Sequence, residues 1–181
     1  MRSLQLYVGF CLFLFGCKND LNDAKKITSR SNVNIERGKD IEIIYSSMGE
    51  NKIKAFAPTL LRFNTEKPHV EFVDGVKINF YDKDGNVETA MTAKHATVQD
   101  GSSLMMARND VVVTNAKGEK LNTEELVWDE SRKQIYSNSF VKITTEDEIL
   151  MGQGMESNET FTDYTIKKIT GVIKVKSTEM P

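Results

Sequence analysis

Apolar residues recur at every second position in a series of short segments that runs through most of the chain. The segment VKINFY, residues 76–81, is a clear example, because its apolar residues alternate with lysine and asparagine. Successive side chains of a β-strand point to opposite faces, so this segment predicts a strand with one apolar face. Turn-forming pairs separate such segments at Asp84-Gly85, Asp100-Gly101 and Lys117-Gly118. The pattern therefore predicts an all-β domain of short antiparallel strands.

The strand pattern repeats about every thirty residues. Four strand pairs can be aligned, and their second strands start at Val76, Val111, Val141 and Ile173. A repeat of this kind indicates one supersecondary unit that is used several times. An ordinary antiparallel sandwich could show the same spacing by chance, and the sequence leaves that alternative open.

One stretch carries a local helix signal. Asn122 and Glu125 have the spacing of a capping box at the start of a helix. The residues that follow, Leu126 to Trp128, are consecutive and apolar, so they would spread around most of a helix. The repeat places the same stretch on a strand, and we predict a strand here.

The N-terminal segment has the features of an export signal. Arg2 precedes an apolar run of about a dozen residues from Leu4 to Phe15, whereas a membrane-spanning helix needs on the order of 20. We therefore predict a signal peptide over residues 1–16.

The end of this signal, Leu14-Phe15-Gly16-Cys17, resembles the lipobox of bacterial lipoproteins, in which a small residue precedes a cysteine that receives diacylglycerol and becomes the first residue of the processed chain. Bulky Phe15 fits the pattern imperfectly, and the alternative is an ordinary signal with an incidental cysteine. Cys11 lies inside the signal, so the processed chain would keep Cys17 alone, with no disulfide framework. Acylation at Cys17 would anchor the protein to a membrane surface.

The remaining chain divides by composition. Residues 17–40 are polar, mixed in charge and without periodicity, which predicts a flexible tether after the lipidated cysteine. Residues 41–176 carry the strand pattern and are the predicted folded domain, and residues 177–181 form a short tail. The chain has 24 basic and 26 acidic residues in a mixed arrangement, so nucleic acid is not an expected partner.

Several motifs in order resemble the LptC family and its LptA relatives. They are T-A-x-x-A (Thr92 to Ala96), NDVVV (Asn109 to Val113), L-x-T-E-x-L-x-W-D (Leu121 to Asp129), S-x-x-x-V-x-I (Ser137 to Ile143) and G-x-G-M (Gly152 to Met155). Each motif is weak alone, but their order and spacing are fairly specific, and the resemblance covers about residues 41–176. Well-known family members carry an N-terminal transmembrane helix that packs against an ABC transporter, and this chain offers Cys17 in its place.

The resemblance implies an open β-jelly roll, in which two facing antiparallel sheets enclose an apolar groove for lipid acyl chains. The residues assigned to this groove are Ile78, Phe80, Met91, Val98, Met106, Val111, Val113, Leu126, Trp128, Val141 and Ile143, and Ile173 and Val175 continue the stripe. The resemblance also implies head-to-tail strand pairing with the next bridge component. The predicted partner edge consists of Ile169, Val172, Ile173 and Val175.

The function implied is a non-enzymatic carrier of lipopolysaccharide across the periplasm. Its lipid anchor is expected in the inner membrane in preference to the outer membrane. Its expected partners are lipopolysaccharide, the inner-membrane ABC transporter of the Lpt system, an LptA-like bridge protein and a membrane bound through the lipid anchor. The alternative is a lipid-anchored envelope scaffold or binding module with a closed, ligand-free core.

Residues for catalysis or cofactor binding are not evident in the sequence. His69 and His95 are the only histidines, and neither has metal-binding or nucleophile-activating spacing. No phosphate-binding GxxxxGK[ST] loop occurs, which is consistent with an ATPase located in another protein. Asp82 to Gly85 resembles part of a calcium loop, but the glycine comes too early and the distal glutamate is missing, so a hairpin turn is expected. We expect no enzyme activity, no cofactor and no metal.

Overall fold

The structure, a computed structural model, describes residues 34–174. Over this range the chain forms eleven β-strands and no helix, which confirms the all-β class. Its strands are β1 (Asn34–Ser47), β2 (Glu50–Asn64), β3 (His69–Phe72), β4 (Val76–Tyr81), β5 (Val87–Ala93), β6 (His95–Gln99), β7 (Leu104–Asn115), β8 (Lys120–Asp129), β9 (Gln134–Thr144), β10 (Glu148–Asn158) and β11 (Tyr164–Lys174). Within these residues, no helix has the length and apolar character of a membrane span. The predicted signal peptide 1–16, Cys17 and the tail 177–181 lie outside the described range.

All the strands join one continuous antiparallel sheet, in which two long strands each have two partners on one edge. Strand β2 pairs with β1 along one edge, and its other edge pairs first with β4 and then with β3. Strand β7 pairs with β8 along one edge, while β6 and β5 share the other. Strands β2, β4, β5, β7, β6 and β3 therefore form a closed ring, from which β1 extends on one side and β8 to β11 on the other.

The ring divides the sheet into two halves, which we name the β4–β5 half and the β3–β6 half after the short strands that each contains. The long strands β2 and β7 contribute one part to each half. Phe80 on β4 contacts Trp128 on β8 edge to face, with ring centroids 5.4 Å apart. Trp128 pairs with Met105 in the part of β7 that also pairs with β6, so this contact joins the two halves. Two facing antiparallel sheet halves around one core confirm the predicted β-jelly roll.

The turn between β10 and β11 closes one end of this core. Phe161 is fully buried and stacks on Tyr164. The side-chain amide of Asn115 donates a 2.8 Å hydrogen bond to the carbonyl of Phe161, and the hydroxyl of Thr89 donates one of 2.8 Å to the carbonyl of Thr160. Thr89 and Asn115 belong to the β4–β5 half. These two bonds therefore hold the β10–β11 turn against the β4–β5 half of the sheet.

The long strands bend where they pass from one half to the other. The pairing of β7 with β8 shifts between Arg108 and Val111, and the two residues between them, Asn109 and Asp110, have positive φ. Gly154 has positive φ at the corresponding shift in β10. Asparagine, aspartate and above all glycine tolerate this backbone conformation, and bulges bend a strand. The NDVVV and G-x-G-M motifs are therefore the bends of the jelly roll.

An apolar row crosses nine strands of the sheet from edge to edge. Each member lies directly opposite the next in the strand register, in the order Ile43, Ala55, Ile78, Met91, Val113, Leu121, Ile143, Leu150 and Val172. The five central residues are at most 3% exposed, whereas Ile43 and Val172 at the two ends are 43% and 52% exposed. Residues directly opposite each other share a face, so this row defines the inner face of the sheet.

The folded part of the chain begins earlier than predicted. Strand β1 starts at Asn34, so residues 34–40 belong to the sheet and not to the tether predicted for residues 17–40. This part of β1 is an exposed edge, held by its backbone pairing with β2 and by a 2.9 Å hydrogen bond from Asn64 to Glu36. Because neither face is buried, selection for an alternating apolar pattern is weak here, and the sequence reads as polar coil.

Candidate functional site

Most of the residues assigned to the groove lie in the packed centre of the inner face. Eight of the eleven are at most 7% exposed in the structure, namely Ile78, Phe80, Met91, Val111, Val113, Leu126, Val141 and Ile143. The other three, Val98, Met106 and Trp128, are half-buried. The centre of the stripe therefore packs against itself and forms the hydrophobic core.

Met106 does not belong to the inner face, which corrects its assignment to the groove. It lies opposite Thr97 and Val127 on the outer face. Its neighbour Met105 is 5% exposed and lies opposite Val98 and Trp128 on the inner face. The bend in β7 contains two residues, so the inner-face positions before and after it keep the same spacing of two. Counted back from Val111, the inner-face positions before the bend are therefore Ala107 and Met105. Counting back from the NDVVV motif would have identified this position in the sequence.

The inner face becomes accessible at its two ends. At the β1 end, Tyr45 lies opposite Ile53, which lies opposite buried Phe80, and Tyr45 is 47% exposed. At the β11 end, Ile169 lies opposite Gly152 and is 59% exposed. These ends present apolar side chains that continue the core outward. The groove predicted from the sequence omits Ile43, Tyr45, Ile53, Leu150 and Ile166. The apolar residues at every second position in 41–45 indicated an apolar strand face there.

The predicted partner edge has residues on both faces of β11. Ile169 and Val172 lie on the inner face, whereas Ile173 lies opposite Ile149 on the outer face. The assignment of Ile173 to the inward stripe was therefore wrong. The register of β10 and β11 shifts between Met151 and Gly152, which leaves one extra residue in β11 and moves the inner positions by one. Val175 lies outside the described residues.

Both outermost strands have a free edge within the described residues, because β1 pairs only with β2 and β11 only with β10. Large apolar side chains are exposed on both strands, including Ile35 and Ile44 on β1 and Ile169 on β11. A strand edge with unpaired N–H and C=O groups is a template for another strand. The two ends of the inner face thus coincide with the two free edges of the sheet.

Two cavities open beside the inner face. A crease cavity of about 580 Å³ lies where β2 passes from β4 to β3, and its lining includes Ile41, Ala57 and Val76. A mouth cavity of about 540 Å³ lies at the β1 end of the inner face, between the β4–β5 turn and the β8–β9 turn. Its lining includes Ile53 and Phe80. Both cavities contact residues of the hydrophobic core.

Hydrogen bonds hold the turns around the mouth cavity in place. The Ser131 hydroxyl donates a 2.6 Å hydrogen bond to Asp129, and the backbone N–H groups of Ser131 and Arg132 also donate to this carboxylate. These contacts lower the pKa of Asp129. The Ser131 hydroxyl contributes most, and the two backbone N–H groups and the Arg132 charge contribute less. At the β4–β5 turn, hydrogen bonds from the backbone N–H groups of Asn86 and Asp84 lower the pKa of Asp82. Asp82 to Gly85 therefore form the expected hairpin turn.

His69 and Tyr164 are two further titratable residues with defined contacts among the described residues. His69 stacks on Phe63, with ring centroids 4.5 Å apart, and its Nε2 atom lies 3.4 Å from Glu71. Burial, and secondarily the charges of Glu119 and Glu148, raise the pKa of Tyr164, which keeps its hydroxyl neutral. No group of three or more metal-ligating side chains occurs among residues 34–174.

The comparison with protein families supports the resemblance noted in the sequence. The family described as "Lipopolysaccharide-assembly, LptC-related" matches residues 10–173, which is most of the chain. A search of curated proteins finds no significant match. The family takes part in lipopolysaccharide transport in the periplasm, at the inner membrane, through the Lpt system. With the all-β fold and the motifs at its bends, the chain belongs to the LptC-related family of lipopolysaccharide-assembly proteins.

Proposed function

We propose that this protein is a non-enzymatic carrier that shelters the acyl chains of lipopolysaccharide and passes them from an ABC transporter to the next bridge component. The observation that carries the proposal is the nine-strand apolar row, which is buried at its centre and exposed at both edges. Acyl chains gain about 0.8 kcal/mol for each CH₂ group removed from water, so even partial cover is favourable.

The ends of the inner face are the proposed first contacts for the acyl chains. Tyr45 and Ile53 form the accessible surface at the β1 end, and Ile166, Ile169 and Val172 form it at the β11 end. Apart from Met106, the groove residues predicted from the sequence lie on the inner face between these two surfaces and support them. An acyl chain that reached these groove residues would have to displace packed side chains.

The free edges of β1 and β11 are the proposed docking sites for neighbouring proteins of the transport system. An added strand would pair with the backbone of β11 between Ile169 and Lys174 and continue the sheet. It would also continue the inner face beyond Val172. Docking and lipid transfer would then use the same edge, which is the geometry that a relay of carriers requires.

A second candidate function is a lipid-anchored scaffold with a closed core. The burial of eight of the eleven assigned groove residues favours it, because those side chains belong to the packed core. The scaffold and the carrier differ in whether lipid contacts the open ends of the inner face.

Photo-cross-linking at two adjacent positions of β1 tests the choice between these functions. Tyr45 faces inward and Ile44 outward, and their side chains are 47% and 50% exposed. We expect a photoreactive residue at position 45 to form lipopolysaccharide adducts in cells, and one at position 44 to form none. Absence of adducts at position 45, or equal yields at both positions, would favour the scaffold.

We also propose that Cys17 anchors the protein to a membrane as a lipoprotein, with the inner membrane as its site. The lipobox resemblance of residues 14–17 supports this anchor. Cells grown with a palmitate analogue should label the native chain and the Cys11→Ala variant, because Cys11 lies in the predicted signal. Cys17→Ala should remove the label. Label retained by Cys17→Ala, or absent from the native chain, would contradict the proposal.

A further inference from the structure

The mouth cavity combines an apolar floor with a charged rim. Its floor is formed by Tyr45, Ile53 and Phe80, which lie side by side on β1, β2 and β4. Phe80 contacts Trp128 on the opposite half of the sheet. The cavity therefore opens directly onto the inner face at its β1 end. A ligand that held its chains on the inner face could extend a polar part into this cavity.

Three lysines from three separate elements surround this opening. Lys52 lies on β2, Lys83 in the β4–β5 turn and Lys133 in the β8–β9 turn, and all three line the cavity. Lys52 forms an ion pair with Glu50, two residues before it on β2. Lys83 forms no ion pair within residues 34–174. Lysines are strong donors to phosphate and other anionic oxygen groups.

Three carboxylates lie on the same rim, those of Asp82, Glu88 and Glu159, so they equal the lysines in number. Asp82 accepts hydrogen bonds from Asp84 and Asn86 and is committed to its turn. The buried Oε2 atom of Glu159 lies 3.6 Å from the Lys133 ammonium and has no closer donor among the described residues. The ion pair compensates the charge of this carboxylate, and a ligand hydroxyl or amide could add a hydrogen bond to the same oxygen. The rim thus offers donors for anionic groups and an acceptor for hydroxyl groups.

The crease cavity has more carboxylates than lysines, whereas the two are equal in number at the mouth cavity. The lining of the crease cavity holds the carboxylates of Asp40, Glu42 and Asp74 and a single lysine, Lys77. An anionic group would be repelled by these carboxylates. Of the two openings beside the inner face, the mouth cavity is the one that suits an anionic headgroup.

We propose that the mouth cavity binds the phosphorylated sugar headgroup of lipopolysaccharide, with Lys83 and Lys133 contacting phosphate and Glu159 accepting a hydrogen bond from the sugar. This inference rests on the proposed carrier function, which places the acyl chains on the adjoining inner face. The headgroup site gives the bound lipid one orientation, with its phosphates at the β1 end of the sheet.

Charge reversal at the rim tests the headgroup site. The probes are lipid A with both phosphates and lipid A stripped of its phosphates, each titrated into the full-length protein in neutral detergent. We expect the double variant Lys83→Glu, Lys133→Glu to bind phosphorylated lipid A at least about tenfold more weakly, because each lost charge-assisted contact accounts for roughly that factor. The stripped lipid should bind the native chain and this variant equally.

The matched control is the double variant Lys120→Glu, Lys142→Glu, which changes the net charge by the same amount. Both lysines are exposed on the outer face of the β4–β5 half. The control should bind phosphorylated lipid A as the native chain does. Equal weakening in both double variants, or no weakening in either, would overturn the headgroup site while leaving the carrier function intact. Failure of the native chain to bind either lipid would overturn the carrier function itself.

Discussion

Val172→Asp is expected to weaken the binding of lipopolysaccharide about thirtyfold, because loss of one apolar contact of roughly 2 kcal/mol changes the affinity by that factor. Val172 lies at the β11 end of the nine-strand row, opposite Leu150. A carboxylate at this position removes an apolar contact and brings an unpaired charge next to the acyl chains. The measurement is equilibrium binding of fluorescently labelled lipopolysaccharide to the full-length protein.

Ile173→Asp is the matched control for this substitution. Ile173 is the next residue on the same strand and is equally exposed, at 52%, but it lies on the outer face opposite Ile149. Its replacement should leave lipopolysaccharide affinity unchanged. Equal losses from the two variants would mean that the strand edge, and not the inner face, contacts the lipid.

Gly152→Ala is expected to destabilise the protein by about 2 kcal/mol, within the range of overpacking substitutions. A β-carbon at this position would lie 2.6 Å from the backbone carbonyl oxygen of Lys168 and would also collide with the side chain of Ile166. Backbone cannot move aside as a flexible side chain can, so the pairing of β10 with β11 would be strained. We expect a melting temperature about 4–8 °C lower for a chain of this size.

Gly171→Ala is the control for replacing a strand glycine with alanine where no backbone atom is in the way. Its added β-carbon would meet only the terminal methyl group of Met151, at 3.0 Å, and this flexible side chain can turn away. Neither Gly152 nor Gly171 has positive φ. Gly171→Ala should therefore leave the melting temperature unchanged or raise it slightly, because alanine reduces the freedom of the unfolded chain. Equal melting temperatures for the two variants would contradict the tight contact at Gly152.

These two glycine positions explain part of the G-x-G-M motif in physical terms. Gly152 permits the close approach of β11 at the register shift, and Gly154 supplies the positive φ at the bend. Met155 is fully buried and anchors the strand beyond the bend. The motif is therefore a structural requirement of the outermost strand pair, on which the open β11 end of the inner face depends.

Local alternation was sufficient to predict strands beyond residue 40, but not the start of β1 at Asn34 and not every face. The segment 76–81 is strand β4, and the stretch with the capping-box spacing, from Asn122 to Glu125, lies in strand β8. Here cross-strand pairing with β7 and β9 outweighs the local helix signal. The errors at Met106 and Ile173 concern faces, and the structure places each at least partly exposed on the outer side of the sheet.

The sequence by itself determined that this chain is an all-β protein with one apolar face, where three of its turns lie and which family it resembles. Those properties depend on an alternation of period two and on residues close together along the chain. Only the tertiary structure decided that β2 and β7 each join both halves, that the assigned groove residues pack into a core, and that its apolar row emerges at β1 and β11. These features depend on hydrogen-bond register between strands that are distant in sequence, and a single bulge can change the face of every residue beyond it.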